Sequence, residues 1–538
     1  MVTERVQVAV LLLVLSFGAG CGQNDDAQSA GSFAPTPNGA AGSSPGSVGE
    51  QPNVGGSGAV IPPEKELDQS FRAPVATGKV LWSANPDSGR VALIDATSLG
   101  VRMTNAGFGP TYLAAVPSKV GTDSAIVINV GSHDASWLVA TAKAIEVTSI
   151  PTHVGANAWS ISASGRFAIA WTDAAHVESG AADPVNGYSE LTVIDLAATP
   201  PTSTRLSVGF RPSQIAFDAA EAHAFAVVDE GISVLDLGDE PALSQLLTVS
   251  AVGLGAHARD VNIAADGSFA AVRVDGSADV EIIDLASGER KAVALDSNVT
   301  DLDLSADSKT ATAVLGDALP PRVVSFAVPD PGVPPAEFES AALAGELVRS
   351  VSLAPDGRLA LLYANGVPSA HLTLLDTTTG VDHFHSRTVD LQGAVQSVFV
   401  SPDSKSAITF QTPPTGSKKQ GLFSIVPTEM VRAPRIVGTD APPVDLAFSD
   451  PKLGKALVTV HGDTSSVQGV YVIGLANLEQ NFVQLSSAPL PGATGIVPGA
   501  KRGFVAQKHP EGRITFIDLD TGAAQTLSGF EIAARVVQ

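Results

Sequence analysis

The residues of this chain that could do chemistry return at comparable places along it. Carboxylates and imidazoles collect in short polar stretches between apolar runs: Asp87, then His133 with Asp134, then Asp173 with His176, then Asp229 with Glu230. Asp275, Asp317, His461 with Asp463, and His509 with Glu511 continue the series. Carboxylate oxygens suit calcium and imidazoles suit a transition metal, so a ring of such stretches could hold a divalent cation. Residues 172–190 form a longer stretch than its equivalents and add Glu178 and Asp183 to Asp173 and His176. Insertions on one face of a repeat array often map to the binding face. Polar, acidic composition is equally the default for hairpin tips. The candidate binding-face residues are therefore Asp173, His176, Glu178, Asp183, His133, Asp134, His461 and Asp463, and no metal ligand set is assigned.

Other chemistries find less support. His383 and His385 fall on the same side of a strand and would make half a metal site, with no carboxylate-rich neighbour in sequence to complete it. No Gly-x-Ser-x-Gly elbow, zincin motif or phosphate-cradling loop is present, so no catalytic residue is assigned and no nucleotide is expected. The single cysteine, Cys21, excludes a c-type haem attachment motif and an internal disulfide. There are four Trp and four Tyr, and Trp82, Trp137, Trp159 and Trp171 all lie early in the chain, which disfavours sugar platforms and quinone-stacking sites. A net charge of −23 without a basic stripe argues against nucleic acid.

These residues ride on a unit that returns about every 40 to 50 residues. Residues 261–272 read Val-Asn-Ile-Ala-Ala-Asp-Gly-Ser-Phe-Ala-Ala-Val, and 351–362 read Val-Ser-Leu-Ala-Pro-Asp-Gly-Arg-Leu-Ala-Leu-Leu. Asp-Gly between alternating apolar residues is a strong hairpin signal. A later strand ends in Asp at positions 95, 195, 236, 284, 376 and 518, where a carboxylate can cap the following turn. Such short strands bury their apolar faces only by stacking on neighbouring copies. The expected fold is all-β, a β-propeller of four-stranded antiparallel blades over residues 73–538.

Unit starts fall near Pro110, Asn157, Pro212, Ala258, Val299, Val348, Val395, Val444 and Thr494. With the segment 79–105, which reads as a blade lacking its first strand, the tally is about ten. Ordinary propellers have roughly four to eight blades. Either one large ring or two smaller propellers would fit, and the lack of a linker within the repeats favours the ring. The C-terminal residues 530–537 are expected to supply the missing strand of the first blade.

The order of apolar strand, Pro355-Asp356-Gly357 turn, Val193-Ile194-Asp195 strand and Val208-Gly209-Phe210-Arg211-Pro212 connection resembles the YVTN-type and lactonase-like propeller repeats of exported bacterial and archaeal proteins. The resemblance covers nearly all residues after 72, and the Tyr-Val-Thr-Asn tetrapeptide itself is absent.

The first 72 residues read as an address. Arg5 precedes an apolar run at 6–17, of the length of a signal-peptide h-region. Gly18, Ala19, Gly20 and Cys21 follow, which resembles a bacterial lipobox with Cys21 as the lipid attachment. Gly18 stands where lipoboxes usually carry Leu. Residues 22–72 are rich in Gly, Ser, Pro and Asn and read as a flexible tether. Gly22 after the cysteine suggests the outer membrane, by analogy with enteric lipoproteins. The expected function is a membrane-anchored binding scaffold in the cell envelope, with an envelope protein or extracellular ligand as partner. A lactonase-type, metal-dependent hydrolase and a surface adhesin are the alternatives.

Overall fold

The computed structural model describes residues 73–117, 122–177, 188–249, 259–330, 336–338, 343, 345–364, 367–377, 386–429, 431–462 and 467–533. Among these, forty strands form ten four-stranded antiparallel sheets, each built from consecutive strands paired in chain order. The blades span residues 75–105, 110–151, 158–207, 214–248, 259–294, 301–338, 350–390, 394–439, 443–484 and 489–528. The expected unit starts match these within two residues except in blade 10. There the first strand, Pro489–Val497, is irregular: Pro489 pairs with Gln507, but the next pair is Thr494 with Val505.

Burial differs by strand position. Phe167–Trp171 and Leu359–Tyr363, both second strands, are buried throughout. A strand covered on both faces loses the alternation of a half-exposed strand and reads as a continuous apolar run. The fourth strand of blade 1, Val101–Asn105, is almost wholly exposed, as an outer edge must be. First strands of neighbouring blades contact one another and so lie innermost, around the axis.

Each apolar cluster fills one seam between blades. Trp82 and Leu93 of blade 1 meet Leu113 and Ala125 of blade 2. Ile126 of blade 2 meets Trp159 and Ala168 of blade 3. The pattern continues seam by seam to blade 10. A last cluster joins Phe504 and Phe516 of blade 10 to Leu81 and Ile94 of blade 1. The blades thus close into one ring of ten.

The closure itself differs from the expectation. The first blade already has its innermost strand, Val75–Thr77, which pairs with residues 80–82. It is only three residues long, too short to show as a periodic segment. The C-terminal residues Phe530–Ile532 form a 3-10 turn instead of a strand, and 534–538 lie outside the described residues. This turn still works as a latch. Ile532 is buried in the blade 10–blade 1 cluster, and Asn85 Nδ2 donates to the Phe530 carbonyl at 2.6 Å.

Carboxylates reinforce the inner seams. Asp301 of blade 6, buried, accepts the Val351 N–H of blade 7 at 2.7 Å, and Asp303 accepts the Leu353 N–H at 2.8 Å. Asp445 of blade 9 accepts the Thr494 N–H of blade 10 at 2.9 Å. An innermost strand has one edge without a sheet partner, and these side chains pair amides that the ring would otherwise bury unsatisfied.

Candidate binding face

In an antiparallel blade, strands one and three run the same way. The turns after strands one and three therefore open on one face of the ring, here called the back. The loops between strands two and three, and the connections from one blade to the next, open on the other, the front.

The back carries the recurring Asp-ended turns, and these are structural. Asp284 Oδ1 accepts the N–H groups of Ala286 and Ser287 and the Ser287 hydroxyl. Asp95 and Asp518 repeat the arrangement, and Asp195 and Asp236 each accept one amide. Donation from these amides holds the carboxyls of Asp95, Asp284 and Asp518 below the usual range. A cleft of about 620 Å³ also opens on the back among the turns of blades 8, 9 and 10. Arg435, Lys455, Glu479 and Asp520 line it, so its charges are mixed.

The front carries the residues singled out from the sequence. Asp173 caps the 3-10 turn Ala174–His176, accepting the Ala175 N–H at 2.9 Å, and its other oxygen meets His176 Nδ1 at 2.6 Å. Asn157 clamps this turn by accepting the Asp173 N–H and donating to the Asp173 and His176 carbonyls. Asp173 and His176 are thus brought together, while Glu178 and Asp183 lie outside the described residues. His133 is the left-handed residue of its turn, at φ 54°. Asp134 is held by Asn129, Ser132 and Ser149, the last donating at 2.5 Å. His461 lies after the second strand of blade 9, where its N–H donates to the Pro442 carbonyl. Asp463, His383, His385 and Cys21 fall outside the described residues. The pairs sit on different blades, and among the described residues no three His, Cys, Asp or Glu side chains converge as a metal site would require.

His153 and Arg273 are among the charged or titratable groups buried beneath this face. His153 lies between the Thr192 and Thr172 hydroxyls, at 3.0 and 3.2 Å, and burial lowers its pKa to about 4. Arg273, 1 % exposed, pairs with Asp275 at 2.7 Å and faces Asp260, whose carboxyl burial pushes well above the usual range.

What the sequence reading missed is apolar. Among the described residues seven large apolar side chains stand exposed on the front: Phe108, Val130, Val154, Phe210, Leu319, Leu347 and Phe530. Among the described residues the back exposes one, Val431. The others that are exposed lie on the fourth strands at the rim. A signal was present, because Gly107-Phe108-Gly109-Pro110 and Gly209-Phe210-Arg211-Pro212 repeat one tetrapeptide pattern in two connections between blades.

No family model matches the chain, and no curated protein matches it. The fold has many solved neighbours. The chain is similar to a structure titled as the crystal structure of the eukaryotic initiation factor, at 14 % identity and a TM-score of 0.50, covering 78 % of this chain and 96 % of that one. It is also similar to dihydro-heme d1 dehydrogenase NirN, at 14 % identity and a TM-score of 0.40, covering 64 % of this chain and 72 % of that one. A third neighbour is the Cps50 (Swd1) β-propeller domain of Myceliophteria thermophila, at 11 % identity and a TM-score of 0.34, covering 59 % of this chain and 96 % of that one. At such identities the likeness speaks to fold alone, and the class defined by fold and topology is a ten-bladed β-propeller.

Proposed function

We propose that the protein is an exported, lipid-anchored binding scaffold of the bacterial cell envelope that engages its partner through the front of the ring. The observation that carries this reading is the asymmetry of exposed apolar side chains among the described residues, seven on the front against Val431 on the back. Five of the seven, Phe108, Val130, Val154, Phe210 and Phe530, lie on the arc from blade 10 to blade 4, and exposed apolar residues gathered on one side mark interaction sites, whereas ones scattered over a surface do not. A ring closed by apolar seams is a rigid platform, so little ordering of the platform would oppose association. The lipobox-like Gly18-Ala19-Gly20-Cys21 and the exported setting of the repeats it resembles support the envelope location.

Two measurements test this. Cys21→Ser should move the full chain from the membrane fraction to the soluble fraction, and retention in the membrane would refute the anchor. A stoichiometric protein partner purified with the wild-type chain should be lost with Phe108→Ser, Phe210→Ser, Leu319→Ser and Phe530→Ser combined. Its persistence at wild-type yield would refute the front as the docking face.

A further inference from the structure

Three innermost strands carry a carboxylate at the same rung, and only two of the three use it as a stitch. Strand pairing sets Asp260 of blade 5 opposite Arg273, Asp301 of blade 6 opposite Val314, and Asp445 of blade 9 opposite Thr459. Asp301 reaches the Val351 N–H of blade 7, and Asp445 reaches the Thr494 N–H of blade 10. The amide in the matching place for Asp260 is the Leu302 N–H of blade 6. Asp301, on Leu302's own strand, already accepts it at 2.9 Å. Among the described residues no amide of blade 6 donates to Asp260, which keeps 18 % of its side chain exposed.

Asp260 meets charge instead. Arg273 faces it from the second strand of blade 5, Nε to Oδ2 at 4.0 Å. Asp275, in the loop after that strand, takes Arg273 Nη1 at 2.7 Å, and among the described residues Nε and Nη2 have no hydrogen-bond partner. Asn262, two residues along the strand, donates to Asp260 at 3.2 Å and to the Leu302 carbonyl across the seam at 2.8 Å. Arg259 is turned away, donating to the Val228 carbonyl of blade 4 near Asp229 and Glu230. From the first strand of blade 6, Asp301 and Asp303 bond to blade 7. The seam between blades 5 and 6 thus buries one guanidinium between two carboxylates, with Asp301 as a third negative group behind them.

One guanidinium neutralises one of these carboxylates. A second ionised carboxylate in the seam adds desolvation and like-charge repulsion without a second cation. Burial accordingly pushes the Asp260 carboxyl well above the usual range, with Arg273 opposing the rise and Asp301 adding to it. A carboxyl that holds its proton more tightly in the closed seam than in water favours the closed seam at acid pH. That contribution is lost as pH rises from the ordinary carboxylate range through the raised value. Asp301 and Asp445 differ in kind, because their ionised oxygens each accept two backbone N–H groups.

We propose that the seam between blades 5 and 6 is a pH-sensitive joint of the ring, closed while Asp260 carries a proton and loosened once it ionises. Opening there would wet the apolar cluster of Phe269, Ala271, Leu302, Ala313 and Phe326. The test is amide hydrogen exchange on the full chain between about pH 5 and about pH 8.5, with wild type beside Asp260→Asn, which has the shape of the protonated acid. Protection is the ratio of intrinsic to observed rate, which removes the base catalysis of exchange itself. In wild type, protection at Ala271, Leu302 and Ala313 should fall at least about tenfold over this range, since each pKa unit gained in the closed seam is worth about tenfold. In Asp260→Asn it should stay level, no lower than wild type at the acid end. The thermal midpoint of that variant at the alkaline end should equal or exceed wild type. Level protection in wild type would overturn the proposal. A fall that persists in Asp260→Asn would do the same, by assigning the response to another group. So would an Asn variant less protected than wild type at the alkaline end, since Asp260 would then hold the seam as an ionised carboxylate.

Discussion

The inner stitches predict a local and measurable loss. Asp301 is 1 % exposed and accepts two backbone N–H groups, its neighbour Leu302 at 2.9 Å and Val351 across the seam at 2.7 Å. Asp301→Ala removes both acceptors and leaves both amides buried. An unsatisfied buried donor costs roughly 1–3 kcal/mol, so two of them cost roughly 2–6 kcal/mol. Loss of a buried carboxylate returns part of this, because that charge was itself costly to desolvate. The expected net destabilisation is about 2–4 kcal/mol. Asp301→Asn keeps one acceptor oxygen and should cost about half as much. Amide hydrogen exchange is the assay, since a ring of repeats can open at one seam without unfolding elsewhere. Protection should fall at Val351 and its neighbours in blade 7, with the seam between blades 2 and 3 unchanged. Exchange at Val351 equal to wild type, with an unchanged thermal midpoint, would refute the stitching argument.

Three further outcomes are expected. Ile532→Ala should cost about 2–3 kcal/mol, at the lower end for a buried Ile because the latch sits near the chain end, and should raise exchange in blades 1 and 10 ahead of the rest. Global loss of protection instead would mean that the ring does not open there first. The His153 ring is held neutral, with its pKa lowered from 6.5 to about 4, so the unfolded chain binds a proton that the fold refuses. Stability should be full above pH 6.5 and fall by about 3 kcal/mol as pH drops to about 4, the product of the shift and 1.36 kcal/mol per unit. His153→Gln should flatten that window in pH-dependent denaturation. Gly131→Ala should displace the Phe108 ring at a stability cost below about 1 kcal/mol, because the ring is mostly solvated. An unchanged Phe108 ring environment in the NMR spectrum of that variant would refute this.

Much of the architecture is legible in the sequence. The Asp-Gly turns at 266–267 and 356–357, the buried runs of second strands and the Asp-ended third strands each follow from short-range physics: turn geometry, two-sided burial and carboxylate-to-amide bonding. Blade boundaries came out within two residues wherever the first strand is regular. Val75–Thr77 escaped because three residues carry no period, and the role assigned to 530–537 followed from that omission. The candidate site was less legible. Asp173 and His176 looked like ligands because of their type, yet Asp173 is also the cap of a 3-10 turn, and a sequence does not separate a carboxylate that caps a turn from one that waits for a ligand. Charged residues drew attention to the front, while Phe108 and Phe210 read as ordinary apolar positions next to Pro.

The sequence alone determined the repeat, the strand order within each blade and the turn chemistry, because each depends on residues a few positions apart. The number of blades that share a ring, the seam that joins blade 10 to blade 1 and the outward display of Phe108 were decided only in the tertiary structure. Each depends on surfaces that meet across hundreds of residues, where burial at a seam and exposure at a face are set by what the rest of the chain leaves covered.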